Sequence, residues 1–414
     1  MTLFSFFFFI FVGFVAADPR ILQLNKYSSG GEFLVDGIET GAKLYVASND
    51  DPAALRNITI TSGSTTTTLD KLSDYYDDGT PKYLNISAGL MIKTVNPDIT
   101  TNGLSGYIYV TTYQQAQDST FAVYVITQKQ TISRIGMKTT TVVLNTAVKT
   151  GSVTDIDRPL KSSYITGIDQ SSNTNLYFKW GVPASNWYDV TDNTFFENPV
   201  NFEDYDPVTN KMVTNPVFFD NVEPLQVGLD YWYFMSMGPI NMQLENAYVS
   251  QHNYTMTAVN TTGLIVNNFL FKDHQVNFLQ DPTRNRTVGT FISTFLTNPV
   301  TFLLDGGNAI VSQTYGNNGN VLGAMSRTWF PAERLLINTT YLLPGTFYCQ
   351  YYGFSTNLLP VTTGAPTTTA PSTAKGQTNT PMVTTTTVAT TTKSAQSHSM
   401  IDLLMLLIVA VLLH

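Results

Sequence analysis

Gly106-Tyr-Ile-Tyr-Val-Thr-Thr-Tyr113 and Thr120-Phe-Ala-Val-Tyr-Val-Ile-Thr127 decide the fold class of this chain. Both are runs of β-branched and aromatic residues, which suit a pleated, half-buried surface, and their apolar period is two. The same composition returns in Thr140-Thr-Val-Val-Leu144, Asn175-Leu-Tyr-Phe-Lys-Trp180 and Asp230-Tyr-Trp-Tyr-Phe-Met235. Between such runs stand clusters that tolerate positive φ: Ser28-Ser-Gly-Gly31, Asn49-Asp-Asp-Pro52, Asp77-Asp-Gly-Thr80, Asn102-Gly103, Asp305-Gly-Gly-Asn308 and Asn317-Asn-Gly-Asn320. No stretch of twelve residues carries helical periodicity. Frequent strands with polar turns and no helices between them predict an all-β chain of tandem antiparallel β-sandwiches, of which the jelly roll is one form.

The chain of 414 residues holds a single cysteine, Cys349. It can form no disulfide within itself, so each domain must be stabilised by its apolar core. In Gly345-Thr-Phe-Tyr-Cys-Gln-Tyr-Tyr-Gly353 strand alternation puts Phe347, Cys349 and Tyr351 on one face, where the thiol reads as a small buried hydrophobe. Hydrophobic residues at 43% supply enough material for several cores. Two short echoes sharpen the division. Thr194-Phe-Phe-Glu-Asn-Pro-Val-Asn-Phe202 matches Thr294-Phe-Leu-Thr-Asn-Pro-Val-Thr-Phe302, and Phe33-Leu-Val-Asp-Gly37 matches Phe302-Leu-Leu-Asp-Gly306. They suggest related units and three β-sandwich domains over residues 18–145, 146–262 and 263–360, with a two-domain split near residue 150 as the alternative.

The two ends differ from the middle. Residues 1–17 hold five Phe between positions 4 and 9 and finish in Val15-Ala16-Ala17, which reads as a cleaved secretory signal. From Val361 to Ser394 the composition turns to Thr and Pro, with fifteen Thr up to Lys393. Such a segment cannot bury enough apolar surface to offset the entropy of ordering it, and reads as a disordered, O-glycosylated stalk. Residues 395–414 end in the apolar run Leu403 to Leu413. As a helix that run spans roughly 16 Å, against a hydrocarbon core of about 30 Å. It therefore reads as a glycosylphosphatidylinositol (GPI) attachment signal, with Ser394 as the candidate attachment residue and Ala389 or Ser397 as the alternatives.

Six Asn-x-Ser/Thr acceptors occur, at Asn57, Asn85, Asn253, Asn260, Asn285 and Asn338. In a secreted chain they are candidate N-glycosylation sites on the surface. Charged residues make up only 13% of the chain, and the formal charge is −8. With no cluster of Lys or Arg to meet phosphates, nucleic acid is excluded as a partner.

Catalytic patterns are scarce. His252 and His274 are the histidines of the strand-rich part, too few to build a His/Cys metal centre. His252 adjoins the acceptor at Asn253, and His274, in Lys272-Asp-His-Gln275, reads as a solvated loop residue. Asp74-Tyr-Tyr-Asp-Asp-Gly79 and Glu203-Asp-Tyr-Asp-Pro207 are the densest acidic clusters. They read as hydrated loops before Ca²⁺ sites or paired catalytic acids. The aromatic runs at 231–233 and 347–352 would have half their rings inward, as core, with the remainder free to face sugars. No catalytic residue, metal ligand or cofactor is assigned.

The signal segment, helix-poor head, Leu104-Ser-Gly-Tyr-Ile-Tyr-Val110 strand entry, Thr-rich stalk and short apolar tail together resemble a group of nematode surface glycoproteins, some with CUB-like β-sandwich domains. The resemblance covers the layout of the whole chain. It implies an extracellular location and, for some relatives, a part in responses to microbes. CUB domains usually carry disulfides, and this chain has one cysteine. The expectation is a non-enzymatic glycoprotein on the outer face of the plasma membrane, held by a lipid anchor and displaying its sandwiches for recognition, adhesion or host defence. Its partner would be a glycan or a surface protein. A carbohydrate-active enzyme using paired carboxylates and a structural or single-pass coat protein are the alternatives.

Overall fold

The computed structural model describes residues 18–356 apart from 28–29, 96–102, 149–160, 185–192, 207, 250–252, 269–272, 280–284, 316–318, 326–331 and 340–344. The expected signal segment, the Thr-rich stalk, Ser394, the apolar tail and His252 lie outside the described residues.

The first unit is built from β1 (Arg20–Gln23), β2 (Gly31–Val35), β3 (Lys43–Ala47), β4 (Ile58–Ser62), β5 (Thr65–Thr68), β6 (Tyr83–Asn85), β7 (Leu90–Thr94) and β8 (Tyr107–Val110). One sheet runs β1-β8-β3-β6 and the other β2-β7-β4-β5. Antiparallel pairs β1/β8, β2/β7, β3/β6 and β4/β5 therefore alternate between the sheets, as when one long hairpin is rolled on itself into a jelly roll. The hairpin tip is a two-residue turn in which Gly63 takes φ 58°, as a first position of type II′ requires. Leu24, Leu44, Val46, Ile58, Ile60, Leu90, Ile92 and Ile108 fill the space between the sheets.

The second unit comprises β9 (Phe121–Ile126), β10 (Gln130–Arg134), β11 (Thr139–Asn145), β12 (Ser163–Gln170), β13 (Asn175–Trp180), β14 (Thr194–Asn198), β15 (Val200–Asp206), β16 (Lys211–Val217), β17 (Asn221–Val222), β18 (Leu225–Val227), β19 (Tyr231–Met237) and β20 (Ile240–Glu245). Its sheets run β10-β20-β12-β18 and β14-β13-β19-β11-β9. Set aside β9 and the inserted β15–β17, and the eight remaining strands repeat the order of the first unit. The third unit does so again. Its strands are β21 (Asn253–Thr255), β22 (Thr261–Asn268), β23 (His274–Asn277), β24 (Asn285–Leu296), β25 (Val300–Asp305), β26 (Ile310–Tyr315), β27 (Gly319–Met325), β28 (Arg334–Asn338) and β29 (Gly345–Thr356). Its sheets run β17-β22-β29-β24-β27 and β21-β23-β28-β25-β26. The described residues are thus all-β, and their sheets repeat one strand order three times.

Several expectations change. Three pairs are parallel: β9 with β11, β17 with β22 and β21 with β23. In the second and third units the strand entering the sandwich lies parallel on a free sheet edge and covers its open N–H and C=O groups. The strands β9, β10 and β11 lie within residues 18–145 yet pair into the second unit, and β21 and β22 start the third unit before residue 263. Thr111-Thr-Tyr113 does not extend β8. Thr112 caps the helix α1 (Tyr113–Gln117): its hydroxyl accepts from the Gln115 amide at 3.1 Å, while the Gln115 side chain accepts from the Thr112 amide at 3.1 Å.

The sequence echoes fall on unlike strands. Thr194–Phe202 crosses β14 and β15, and Thr294–Phe302 crosses β24 and β25, which hold different places in the strand order. Likewise Phe33 lies on the second strand of its unit and Phe302 on the fourth. The structural repeat resides in topology, not in those matches.

Candidate glycan-bearing surface and the joints beneath it

Acceptor asparagines sit on strand ends and outer faces of the first and third units. Asn85 is exposed on β6, an edge strand. Asn57 stands just ahead of β4, where its side-chain amide donates to the Ala53 carbonyl at 2.8 Å. Asn260 precedes β22, and its amide donates to Asp220 Oδ2 at 3.1 Å. A glycan attached through nitrogen leaves one N–H in place, so each of these bonds can survive modification. Asn253 on β21 and Asn338 on β28 are brought together. Asn253 registers with Gln275, and Gln275 with Leu336, so Asn253 and Asn338 share the outer face of one sheet. Two strand spacings and two residues along the strand separate them, roughly 12 Å. Both are exposed. Asn285 opens β24, but its side chain lies outside the described residues. No acceptor falls between Asn85 and Asn253, so the whole second unit has none.

Three carboxylates of the acidic clusters are spent on local structure, while the side chains of Glu203 and Asp204 lie outside the described residues. Asp74 pairs with Lys82 Nζ at 2.5 Å. Asp78 accepts from the amide and hydroxyl of Thr80, and Asp206 from the Val208 amide and Thr209 hydroxyl. These hydrogen bonds hold all three carboxyls below the usual carboxylate range. A general acid at neutral pH needs the opposite shift. Among the described residues no group of three or more His, Cys, Asp or Glu could hold a metal ion.

His274 departs from its expected place. It is a buried member of β23, paired with Ile337 and set edge-on to the Phe347 ring at 6.2 Å between centroids. The sandwich interior has claimed it because alternation on β23 points His274 and Val276 inward together. Cys349 is buried beside Ile265 and Ile292, and burial drives its thiol far above its ordinary pKa. It is expected to resist a thiol reagent in the native protein at pH 8 and to react fully once guanidinium has unfolded the chain, as mass spectrometry would report. Fast native labelling would contradict that burial.

The aromatic runs differ from expectation as well, being buried on both sides. Trp232 and Phe234 enter the second core while Tyr233 packs against the first unit, beside Tyr45, Tyr107 and Tyr109. Tyr107 crosses that joint: its hydroxyl donates to the Asn145 carbonyl at 3.0 Å and to the Asp230 carbonyl. Over its ring lies Lys161 Nζ, 5.3 Å from the centroid and 2.9 Å from Asp230 Oδ2.

At the other joint β29 works with both faces. Phe347, Cys349 and Tyr351 fill the third core, while Tyr348 stacks on Trp180 at 5.2 Å and on Phe195 at 4.9 Å. On the same face as Tyr348, Gln350, fully buried, copies a backbone ladder. Its oxygen accepts from the Glu197 amide at 2.9 Å, and its nitrogen donates to the Glu197 carbonyl at 2.8 Å and to Thr262 Oγ1 at 2.9 Å. Sequence reading missed Gln350, Tyr107 and Lys161. The available signal was a Gln between Cys349 and Tyr351 on a strand with no other polar residue from Phe347 to Tyr352.

Comparison with known proteins adds a family. No curated protein matches the chain. A chain from the atomic structure of Sulfolobus Turreted Icosahedral Virus aligns over 82% of this chain and 83% of its own at 9% identity, but at a TM-score of 0.14 the likeness carries no argument. A family model described as transmembrane glycoprotein matches residues 39–409, which is most of the chain and all three sandwiches from β3 onward. Among the described residues no helix is long and apolar enough to cross a membrane. The chain belongs to this transmembrane glycoprotein family.

Proposed function

We propose that this protein is a non-enzymatic surface glycoprotein whose three-sandwich head is displayed outside the cell for recognition or adhesion. The observation that carries the reading is the pair of buried joints: Gln350 with Tyr348 on one side, and Tyr107 with Lys161 on the other. Joints closed by buried hydrogen bonds and rings turn three sandwiches into one stiff body, which suits presentation of a surface at a distance from a membrane. Glycans on the first and third units would shield those units and leave the second unit bare. That distribution favours a recognition module over a uniformly coated structural protein. Attachment through residues 395–414, with a GPI lipid at Ser394, and a CUB-like host-defence role belong to the same reading. It rests on family membership for the surface location and on the sequence for the anchor.

The enzyme reading loses ground because Asp74, Asp78 and Asp206 of the acidic clusters serve turns and an ion pair. Binding of the full-length glycosylated protein to an array of glycans and microbial surfaces tests the proposal. Saturable binding to one class, lost when the second unit is masked by an engineered acceptor on an exposed strand, is the expected result. Silence across the array from a folded sample would overturn recognition in favour of a coat. For the anchor, phosphatidylinositol-specific phospholipase C is expected to release the protein from intact cells. Retention, with Leu403 to Leu413 still present by mass spectrometry, would mean that the tail is kept.

A further inference from the structure

The sheets that carry Tyr107, Tyr233 and Tyr348 are closed by the joints, which leaves each unit one open sheet. The three open sheets differ in chemistry. In the first unit it is β2-β7-β4-β5 and in the third β23-β28-β25-β26, each crossed by an ion pair between neighbouring strands. Lys93 meets Glu32 and Arg334 meets Asp305, both at 2.7 Å. Acceptor asparagines accompany both sheets, Asn57 ahead of β4 in the first and Asn253 and Asn338 in the third.

In the second unit the open sheet is β10-β20-β12-β18. Alternation turns Ile132, Met242, Leu244 and Ile165 into the core and the residues between them outward. Register sets the outward side chains in rows. Ser133, Asn241 and Asp169 stand abreast, then Thr131, Gln243 and Thr166, then Glu245 and Tyr164. Neighbours within a row lie about 4.8 Å apart, and successive rows roughly 7 Å. A bulge between Thr166 and Asp169, with Gly167 at φ 59°, bends β12 and re-aims the side chains beside it. Among the described residues no hydrogen bond engages the side chains of Thr131, Ser133, Thr166, Asn241 or Gln243. Neutral donors and acceptors therefore stand free on a rigid lattice.

The composition of this face selects its partner. A protein partner would need an apolar centre with aromatic, Met or Arg anchors, and no aliphatic side chain is exposed in these rows. An acidic glycan would meet Asp169 and Glu245, against Lys129 alone in the turn before β10. Arg134, at the other end of β10, is turned to the Thr120 carbonyl at 2.6 Å. A neutral sugar finds what it needs. Its hydroxyls both donate and accept, as amide and hydroxyl side chains do, and its C–H face packs on an aromatic ring. Tyr164 supplies the ring, half-buried between Glu245 and Gln226. Gln226 is held in turn by the Ala247 carbonyl at 3.1 Å and the Val249 amide at 2.8 Å, which fixes that border of the face.

We propose that the open face of the second unit, centred on Tyr164, Thr166, Gln243 and Asn241, binds a neutral, extended oligosaccharide. This rests on the recognition reading and names its site and its ligand class.

The test titrates full-length glycosylated protein with neutral hexasaccharides of β-linked glucose, β-linked N-acetylglucosamine and α-linked mannose, and with a polygalacturonate hexamer as the acidic contrast. Thr131→Asn creates a glycan acceptor on the face, because Ser133 stands two residues on. Met212→Asn creates one on the β15–β16 ribbon of the same unit, through Thr214. Mass spectrometry reports occupancy, and thermal unfolding reports the fold. Saturable binding to at least one neutral hexamer is expected, lost in Thr131→Asn, largely restored when Ser133→Ala is added, and kept in Met212→Asn. Gln243→Ala is expected to weaken it about tenfold with an unchanged thermal midpoint. Undiminished binding with an occupied glycan at position 131 would put the site elsewhere and overturn the proposal while recognition stands. Preference for the acidic hexamer would overturn it too, as would silence towards every neutral hexamer from protein that binds another class on the wider array. Silence across the whole array from folded protein would remove the recognition reading and this site with it.

Discussion

Raising the pH from 9 to 11 is expected to unfold the head in a steep, cooperative transition. Burial raises the phenols of Tyr45, Tyr107, Tyr109, Tyr254, Tyr315, Tyr348 and Tyr351 far above their ordinary value, and it does the same to the Cys349 thiol. A tyrosine in the unfolded chain titrates near 10. Below that pH both states keep their protons and the folded state has its full stability. Above it the unfolded chain sheds protons that the folded chain retains, and each such tyrosine lowers stability by about 1.4 kcal/mol per pH unit. Four of the seven line the third unit and its joint, and three line the joint between the first and second units. Seven together amount to roughly 10 kcal/mol one unit above pH 10, comparable with the 5–15 kcal/mol that holds a domain folded. Circular dichroism and tyrosinate absorbance should therefore change together. Ionisation of all 22 tyrosines with an intact β-sheet signal would show that these phenols are not buried.

Gln350→Ala is expected to destabilise the protein by about 3 kcal/mol, because it strands the Glu197 amide, the Glu197 carbonyl and the Thr262 hydroxyl in a dry joint. The side chain itself is fully buried and makes three hydrogen bonds. The loss should fall on the coupling between units. In guanidinium the third unit should separate from a previously single transition, and small-angle scattering should show a hinge. Gln350→Glu should behave similarly, since a carboxylate can accept from Glu197 N but cannot donate to Glu197 O. A change under 1 kcal/mol with an unaltered scattering profile would show that the joint does not depend on this residue.

The fold class was legible because strand formation is local. The quoted runs from Thr120, Thr140, Asn175 and Asp230 all contain strands, since β-branched and aromatic composition and period two act over a few residues. The buried thiol was legible for the same reason: alternation places Cys349 with Phe347 and Tyr351. What failed was long-range. Pairing β1 with β8 or β22 with β29 depends on how a hairpin rolls up, and no short match between segments encodes it. The two echoes fell on strands with different places in the roll. Both sides of Tyr231–Tyr233 and of β29 are buried because neighbouring units cover what would be the outer face of an isolated sandwich. His274 looked solvated from its polar neighbours Lys272, Asp273 and Gln275, yet on a strand the residues at alternate positions decide burial. The acceptor asparagines were legible as a motif. Their confinement to the first and third units became visible only with the unit boundaries.

Display of this head outside the cell is tested most directly on intact cells that produce the full-length protein. Peptide N-glycosidase added to the medium, followed by mass spectrometry of the asparagines, should convert acceptors among Asn57, Asn85, Asn253, Asn260, Asn285 and Asn338 to aspartate and lower the apparent mass stepwise. Unconverted asparagines, in a protein that externally added protease also fails to reach, would contradict surface display and the function proposed from it.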